Sequence, residues 1–198
     1  MKLNKDNLIK TLDKIEYDPS GKFGSCIENF ELNNKTLKFM FIEYDLQKIV
    51  NRSYDYNQTS VFGEFERLLR NPSKGVALPA CTYNCDHPEL GKICIILYSK
   101  YIKQCNSFLA AISHELGHQF LNHAEIDCKT VGNIKCLPKS KEIEADDFAF
   151  ELSGVRPDVL NVMRTHCNKA AKIFKFNLFT RLFLKVINTK IVYKIVRL

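Results

Sequence analysis

Apolar positions along the chain switch between a helical and an alternating period, and the switches mark its elements. Leu8, Ile9, Leu12 and Ile15 recur at helical spacing until Asp18-Pro19-Ser20-Gly21 supplies turn residues, which predicts a short N-terminal helix. Phe23 to Leu32 and Thr36 to Asp45 are rich in aromatic and branched residues and are separated by Asn33-Asn34-Lys35, the pattern of an antiparallel hairpin. Phe62, Phe65, Leu68 and Leu69 return to helical spacing before Asn71-Pro72, and the Pro- and Cys-containing stretch from Leu78 to Gly91 reads as a loop. Ile93 to Tyr98 has the length and composition of a buried strand. From Ser107 onward, Phe108, Leu109, Ile112, Leu116 and Phe120 mark a strongly periodic helix. Residues 124 to 139, with Gly132 and Pro138, read as a loop. Ser140 then serves as the expected N-cap of a helix carrying Ala145, Phe148, Ala149 and Leu152, closed by Gly154, and Pro157 fits the first turn of the next helix. The expected class is α+β: a small mixed or antiparallel sheet packed on the helix that starts at Ser107, with further C-terminal helices.

Composition narrows this picture. A chain of 198 residues, 45% hydrophobic and 26% charged, fits one compact domain and excludes collagen, coiled coil and disorder throughout. Its longest apolar runs, such as Ile93 to Tyr98, stop at six residues, far short of the roughly 18 to 20 that a membrane-spanning helix needs. The opening MKLNKDNLIKTLDKIEY places Lys and Asp every few positions, unlike the apolar stretch of a cleaved secretory signal, so a cytoplasmic location is expected. The eight Cys are accordingly expected as reduced thiols. That includes Cys128 and Cys136, which would clip their loop only if oxidised. Cys81-x3-Cys85-x-His87 resembles half of a structural zinc site that Cys94 or Cys105 could complete; without a regular CxxC pair, unpaired thiols are the preferred reading.

The net charge of +7 is unevenly spread: nine of the 29 basic residues lie in 159–198, which contains no acid. Within that region Asn177, Arg181, Lys185 and Asn188 follow one helical face, opposite a wide apolar face of Leu178, Phe179, Leu182, Phe183, Val186 and Ile187. The chain is therefore divided into a body, 1–168, and a basic amphipathic helical segment, 169–198. Packing on the body is the first reading of that segment, peripheral contact with an anionic membrane surface the second, and an inhibitory plug over the cleft the third. Nucleic-acid binding is not expected, because no recognition fold accompanies the charge.

The candidate chemistry lies in the periodic helix, where His114-Glu115-Leu116-Gly117-His118 spells HExxH. Histidines at i and i+4 project from one helical face, so both imidazoles can converge on a single zinc, with the intervening Glu beside the open coordination position. A catalytic zinc takes a third protein ligand and leaves the fourth place for water. The pattern HExxHxxGxxH would need Gly at 121 and His at 124, where this chain has Leu121 and Ala124, with His123 one residue out of register. The other solution is a Glu on a later helix, for which Glu142 and Glu144 are candidates. Glu142 shares the face of Ala145 and Ala149, whereas Glu144 is rotated by about 100° from Ala145, so Glu142 points inward as the third ligand. Asp146, one turn along the same face, is placed to hydrogen-bond the second nitrogen of a ligand His and fix its tautomer.

HELGH followed by EIEADDFA resembles the gluzincin metallopeptidases, whose pattern is HExxH…ExxxD. The resemblance covers about residues 93–160. It is shared with thermolysin-like, HtpX-type and minimal single-domain members, and HELGH…ExEA[DN]xFA is close to the ImmA/IrrE group. That group typically continues into Leu-Leu-x-Pro, where this chain reads Glu151-Leu152-Ser153-Gly154. The resemblance implies a zincin-like fold, one Zn2+ per chain on His114, His118 and Glu142, Glu115 as general base, Asp146 as orienter, and a protein or peptide substrate. It also implies a strand beside the cleft that pairs with extended substrate, expected at Ile93 to Tyr98. A His or Tyr downstream of the third ligand would stabilise the oxyanion, and His166 is the His available there. Two alternatives stand beside a general metallopeptidase: an ImmA/IrrE-like protease acting on a repressor, and a non-catalytic zincin-fold protein held at a membrane or partner by its basic tail. The intact Glu115 speaks against the second.

Overall fold

The computed structural model describes residues 1–52, 60–123 and 138–175. The amphipathic pattern over 177–188 and the pair Cys128 and Cys136 lie outside the described residues.

The elements run α1 (Lys5–Leu12), β1 (Glu16–Tyr17), β2 (Phe23–Leu32), β3 (Lys35–Tyr44), α2 (Leu46–Asn51), α3 (Val61–Arg70), α4 (Pro72–Ala77), β4 (Ala80–His87), β5 (Gly91–Ser99), a 3-10 turn at Lys100–Gln104, α5 (Phe108–Phe120), α6 (Lys139–Ser153) and α7 (Val159–Ile173). The fold is mixed α+β around a five-stranded sheet of order β1-β2-β3-β5-β4. β3 pairs parallel with β5, and the other neighbours are antiparallel. Asn33 and Asn34 turn the β2–β3 hairpin with φ of 50° and 62°. That left-handed pair defines the two-residue turn that suits the right-handed twist of the strands.

Both faces of the sheet are covered, which explains why β3 and β5 read as continuous apolar runs rather than alternating ones. Phe39, Phe41, Cys94, Ile96 and Tyr98 face α1 and α5, meeting Leu8, Leu12, Ile112, Leu116 and Phe120. Met40, Ile42, Tyr44, Ile93, Ile95 and Leu97 face the opposite way, toward Ile49 of α2, Phe65 and Leu69 of α3, and Cys167 and Ala170 of α7. α6 does not lie on the sheet but packs along α5 through the small residues Ala145 and Ala149, both fully buried.

The structure departs from the sequence reading in several places. Leu78 to Gly91 is not a loop: most of it is β4, in register with β5 from Ala80↔Tyr98 to His87↔Gly91. Cys81, Cys85 and His87 therefore sit along one extended strand, where residues four apart are about 13 Å apart, too far to share a metal. No disulfide joins the six Cys among the described residues. Helix α6 begins at Lys139 directly after Pro138, so Ser140 falls in its first turn and is not the N-cap. Asp158 caps α7 by accepting from Asn161 N at 2.9 Å, a bond proline cannot offer, and Pro157 stays outside that helix. Gly154 closes α6 at φ +78°, as expected for a left-handed cap. α7 runs unbroken through residues 168 and 169.

Candidate metal centre

Ile112, Leu116 and Phe120 bind α5 to the sheet, which turns the side carrying His114 and His118 toward α6. One helical turn apart, the two rings bring their Nε2 atoms to 2.9 Å. Glu142 reaches the same point from α6, its Oε2 3.2 Å from His114 Nε2 and 3.7 Å from His118 Nε2. These three side chains form a group whose donor atoms all lie within 4.8 Å of one another. Tetrahedral zinc with bonds of about 2.0–2.1 Å holds neighbouring donors about 3.3 Å apart, so separations of this size and a donor set of two imidazoles and one carboxylate fit that ion.

Electrostatics of the group agree with a cation seat. Burial alone would depress the His114 imidazole, but hydrogen bonds to Asp146 and Glu142 outweigh it and push its pKa up to about 10. Burial would raise the Glu142 carboxyl, yet bonds to His114 and His118 bring it down to about 2. A proton and a metal ion compete for such a site. Glu115 is half-buried next to it. Desolvation pushes its carboxyl pKa up, the two imidazoles pull it back, and Glu142 raises it further.

The outward nitrogens are also engaged. His114 Nδ1 lies 2.8 Å from Asp146 Oδ1. His118 Nδ1 lies 3.3 Å from Nδ1 of His123, whose Nε2 is 3.0 Å from Glu144 Oε2. Sequence reasoning considered His123 and Glu144 only as metal ligands and missed their link to His118. The signal was the proximity of His123 to the helix end, but its direction depends on the turn that follows α5.

His166 is not gathered into this group. Its ring is fully buried, with Nε2 donating to Gly75 O at 2.7 Å and the ring edge against Tyr44. Burial lowers its pKa to about 4, so the imidazole is neutral. The side chain is taken up in the α4–α7 contact, where its bonded partner is a main-chain carbonyl of α4.

The strand beside the candidate cleft differs from the expected one as well. β5 is enclosed between β3 and β4, so its backbone is already paired on both sides. β4 is the edge strand: α5 packs along it, and Gln119 Nε2 donates to Thr82 Oγ1 at 2.6 Å. Among the described residues, no strand pairs with its outer side. A groove of about 780 Å³ continues past the C-terminal end of α5, lined by Lys35, Asn84, Asp86, Lys92, Gln119 and Asn122. The three clustered donors do not line it.

Among the described residues, no helix is long and apolar enough to cross a membrane. Compared with models of protein families, with curated proteins and with solved structures, the chain has no match.

Proposed function

We propose that this protein is a zinc-dependent metallopeptidase of the gluzincin type, with a zincin-like arrangement of edge strand, HExxH helix and third-ligand helix. The observation that carries the reading is the convergence of His114, His118 and Glu142, from two helices, with the desolvated Glu115 beside them. His114 and His118 offer their Nε2 lone pairs, and Asp146 holds the His114 ring in the tautomer that frees its lone pair. His114, His118 and Glu142 would hold zinc, which would supply Lewis acidity to the scissile carbonyl and to a water. Glu115 accepts the proton of the attacking water and delivers it to the departing amine nitrogen, a transfer favoured by the raised affinity for protons that burial confers. An extended peptide adds to the outer edge of β4, which no strand pairs among the described residues, so that main-chain hydrogen bonds position the scissile bond while side chains set preference.

The test has two parts. Elemental analysis of the purified full chain should find one zinc, retained in Glu115→Gln and lost in Glu142→Ala. Peptide-bond hydrolysis, followed with a peptide library by mass spectrometry, should be present in the parent and absent from Glu115→Gln. A metal-free parent, or cleavage that survives in Glu115→Gln, would overturn the proposal.

A further inference from the structure

We infer that His123 and Glu144 are positioning residues for the metal centre, forming a two-link chain in which His118 donates from Nδ1 to His123 and His123 donates from Nε2 to Glu144. This rests on the reading of His114, His118 and Glu142 as metal ligands.

The proton inventory of the rings supports it. As a ligand, His118 presents a bare Nε2 to the seat shared with His114 and Glu142, which leaves its proton on Nδ1. The atom facing that proton is His123 Nδ1, at 3.3 Å. Two facing imidazole nitrogens make a hydrogen bond only when one is bare, so the proton of His123 belongs on Nε2. That nitrogen points at Glu144 Oε2, 3.0 Å away, a carboxylate that can only accept when ionised. One arrangement of protons therefore satisfies every contact from the metal seat to Glu144.

The backbone is built to hold it. After α5 the chain turns at Asn122, which takes φ +58°, a left-handed conformation that asparagine tolerates better than most residues. His123 N then donates back to the carbonyl of His118 at 2.7 Å, and Asn122 N to that of Gln119 at 3.2 Å. These are the two bonds of a Schellman helix end. Lys35, from the β2–β3 hairpin, clamps the same turn by donating to Gln119 O, Phe120 O and Asn122 Oδ1 at 3.1, 3.0 and 2.8 Å. His123 is thus tied to His118 through both main chain and ring, and it is 4% exposed. Glu144 is rotated about 200° around α6 from Glu142, so it cannot take the place that Asp146 takes at His114. His123 spans that difference, and the chain ends at a carboxylate whose side chain is 57% exposed.

The experiment measures zinc affinity of the full chain by competition with a chromophoric chelator. His123→Leu should weaken binding about 10- to 100-fold, the usual effect of losing an outer partner of a ligand. His123→Asn, whose Oδ1 can stand where Nδ1 stood, should recover most of that loss. The exposed Glu144→Ala, which leaves the buried packing intact, should weaken binding about three- to tenfold. Adding it to His123→Leu should cost nothing further, because the chain is already cut. Nitrogen-detected NMR of the zinc-loaded protein should show His118 protonated on Nδ1 and His123 on Nε2. A zinc-binding parent whose affinity is unchanged in both single variants, or His123 protonated on Nδ1, overturns this inference and leaves the ligand assignment standing. A parent that binds no zinc overturns both.

Discussion

Gly117 and Phe148 touch across the two helices that carry the candidate metal ligands: a Cβ on Gly117 would stand 3.1 Å from Phe148 Cδ1 and 3.2 Å from its Cβ. The bare glycine lets α6 approach α5 closely enough for Glu142 and Asp146 to reach the histidines. Gly117→Ala should gain up to about 1 kcal/mol of helix propensity and lose it again to the crowded contact, so the melting temperature should move little. Zinc affinity should fall about tenfold as α6 is displaced, approaching the loss expected when an outer partner is removed. Calorimetry and chelator competition on the same preparation check this, and an unchanged affinity would show that α6 has slack.

Asp146→Asn removes a charged acceptor from His114 Nδ1 while leaving an amide of the same shape. Metal affinity should drop about 10-fold or more, with the fold intact because the side chain is 34% exposed. Circular dichroism and the chelator assay would separate this from general destabilisation.

His166 makes stability depend on pH. Its folded pKa of about 4 lies below the ordinary value of 6.5, so between those limits the unfolded chain binds more protons than the native one. Stability should therefore be full above about pH 6.5 and fall as pH drops toward 4, by up to about 3 kcal/mol from this residue. Urea unfolding of the parent and of His166→Gln, whose amide can still donate to Gly75 O, should show the acid loss shrinking in the variant. If the proposed peptidase reading holds, the variant should cleave peptides at neutral pH as the parent does. A large fall in kcat with little change in stability would instead return His166 to the catalytic group.

The proposed pairing of a peptide substrate with β4 predicts a backbone signature. In a cleavable peptide, N-methylation at alternate positions should raise KM about tenfold, because each methyl removes a donor to the strand edge, whereas the positions between should tolerate it. A uniform response along the peptide would argue against strand addition.

Much of the local architecture was legible in the order of residues. The four-residue step from His114 to His118 places both on one helical face, and the stripe of Ala145 and Ala149 orients Glu142 and Asp146 toward whatever that face meets. The hairpin at Asn33-Asn34, the helix over Val61–Arg70 and the stop at Gly154 are likewise local, since turn chemistry and side-chain period act within a few residues.

β4 was harder to read, because a half-buried edge strand of Cys81, Tyr83 and Cys85 alternating with Thr82, Asn84 and Asp86 carries little apolar contrast, and its flanking prolines resemble loop punctuation. The parallel pairing of β3 with β5 joins segments separated by three helices and a strand, and nothing within either strand names its partner.

The same division runs through the site. Spacing within one helix dictates which residues share a face, so the ligand candidates could be named from their intervals. Partnership between helices depends instead on how closely α5 and α6 approach, on the left-handed turn at Asn122 and on the clamp from Lys35. Those are long-range contacts, in which a side chain's role is set by groups distant in sequence. For that reason His123 and Glu144 come to lie in line with His118, and His166 is drawn into the α4–α7 packing, only once the chain has folded back on itself.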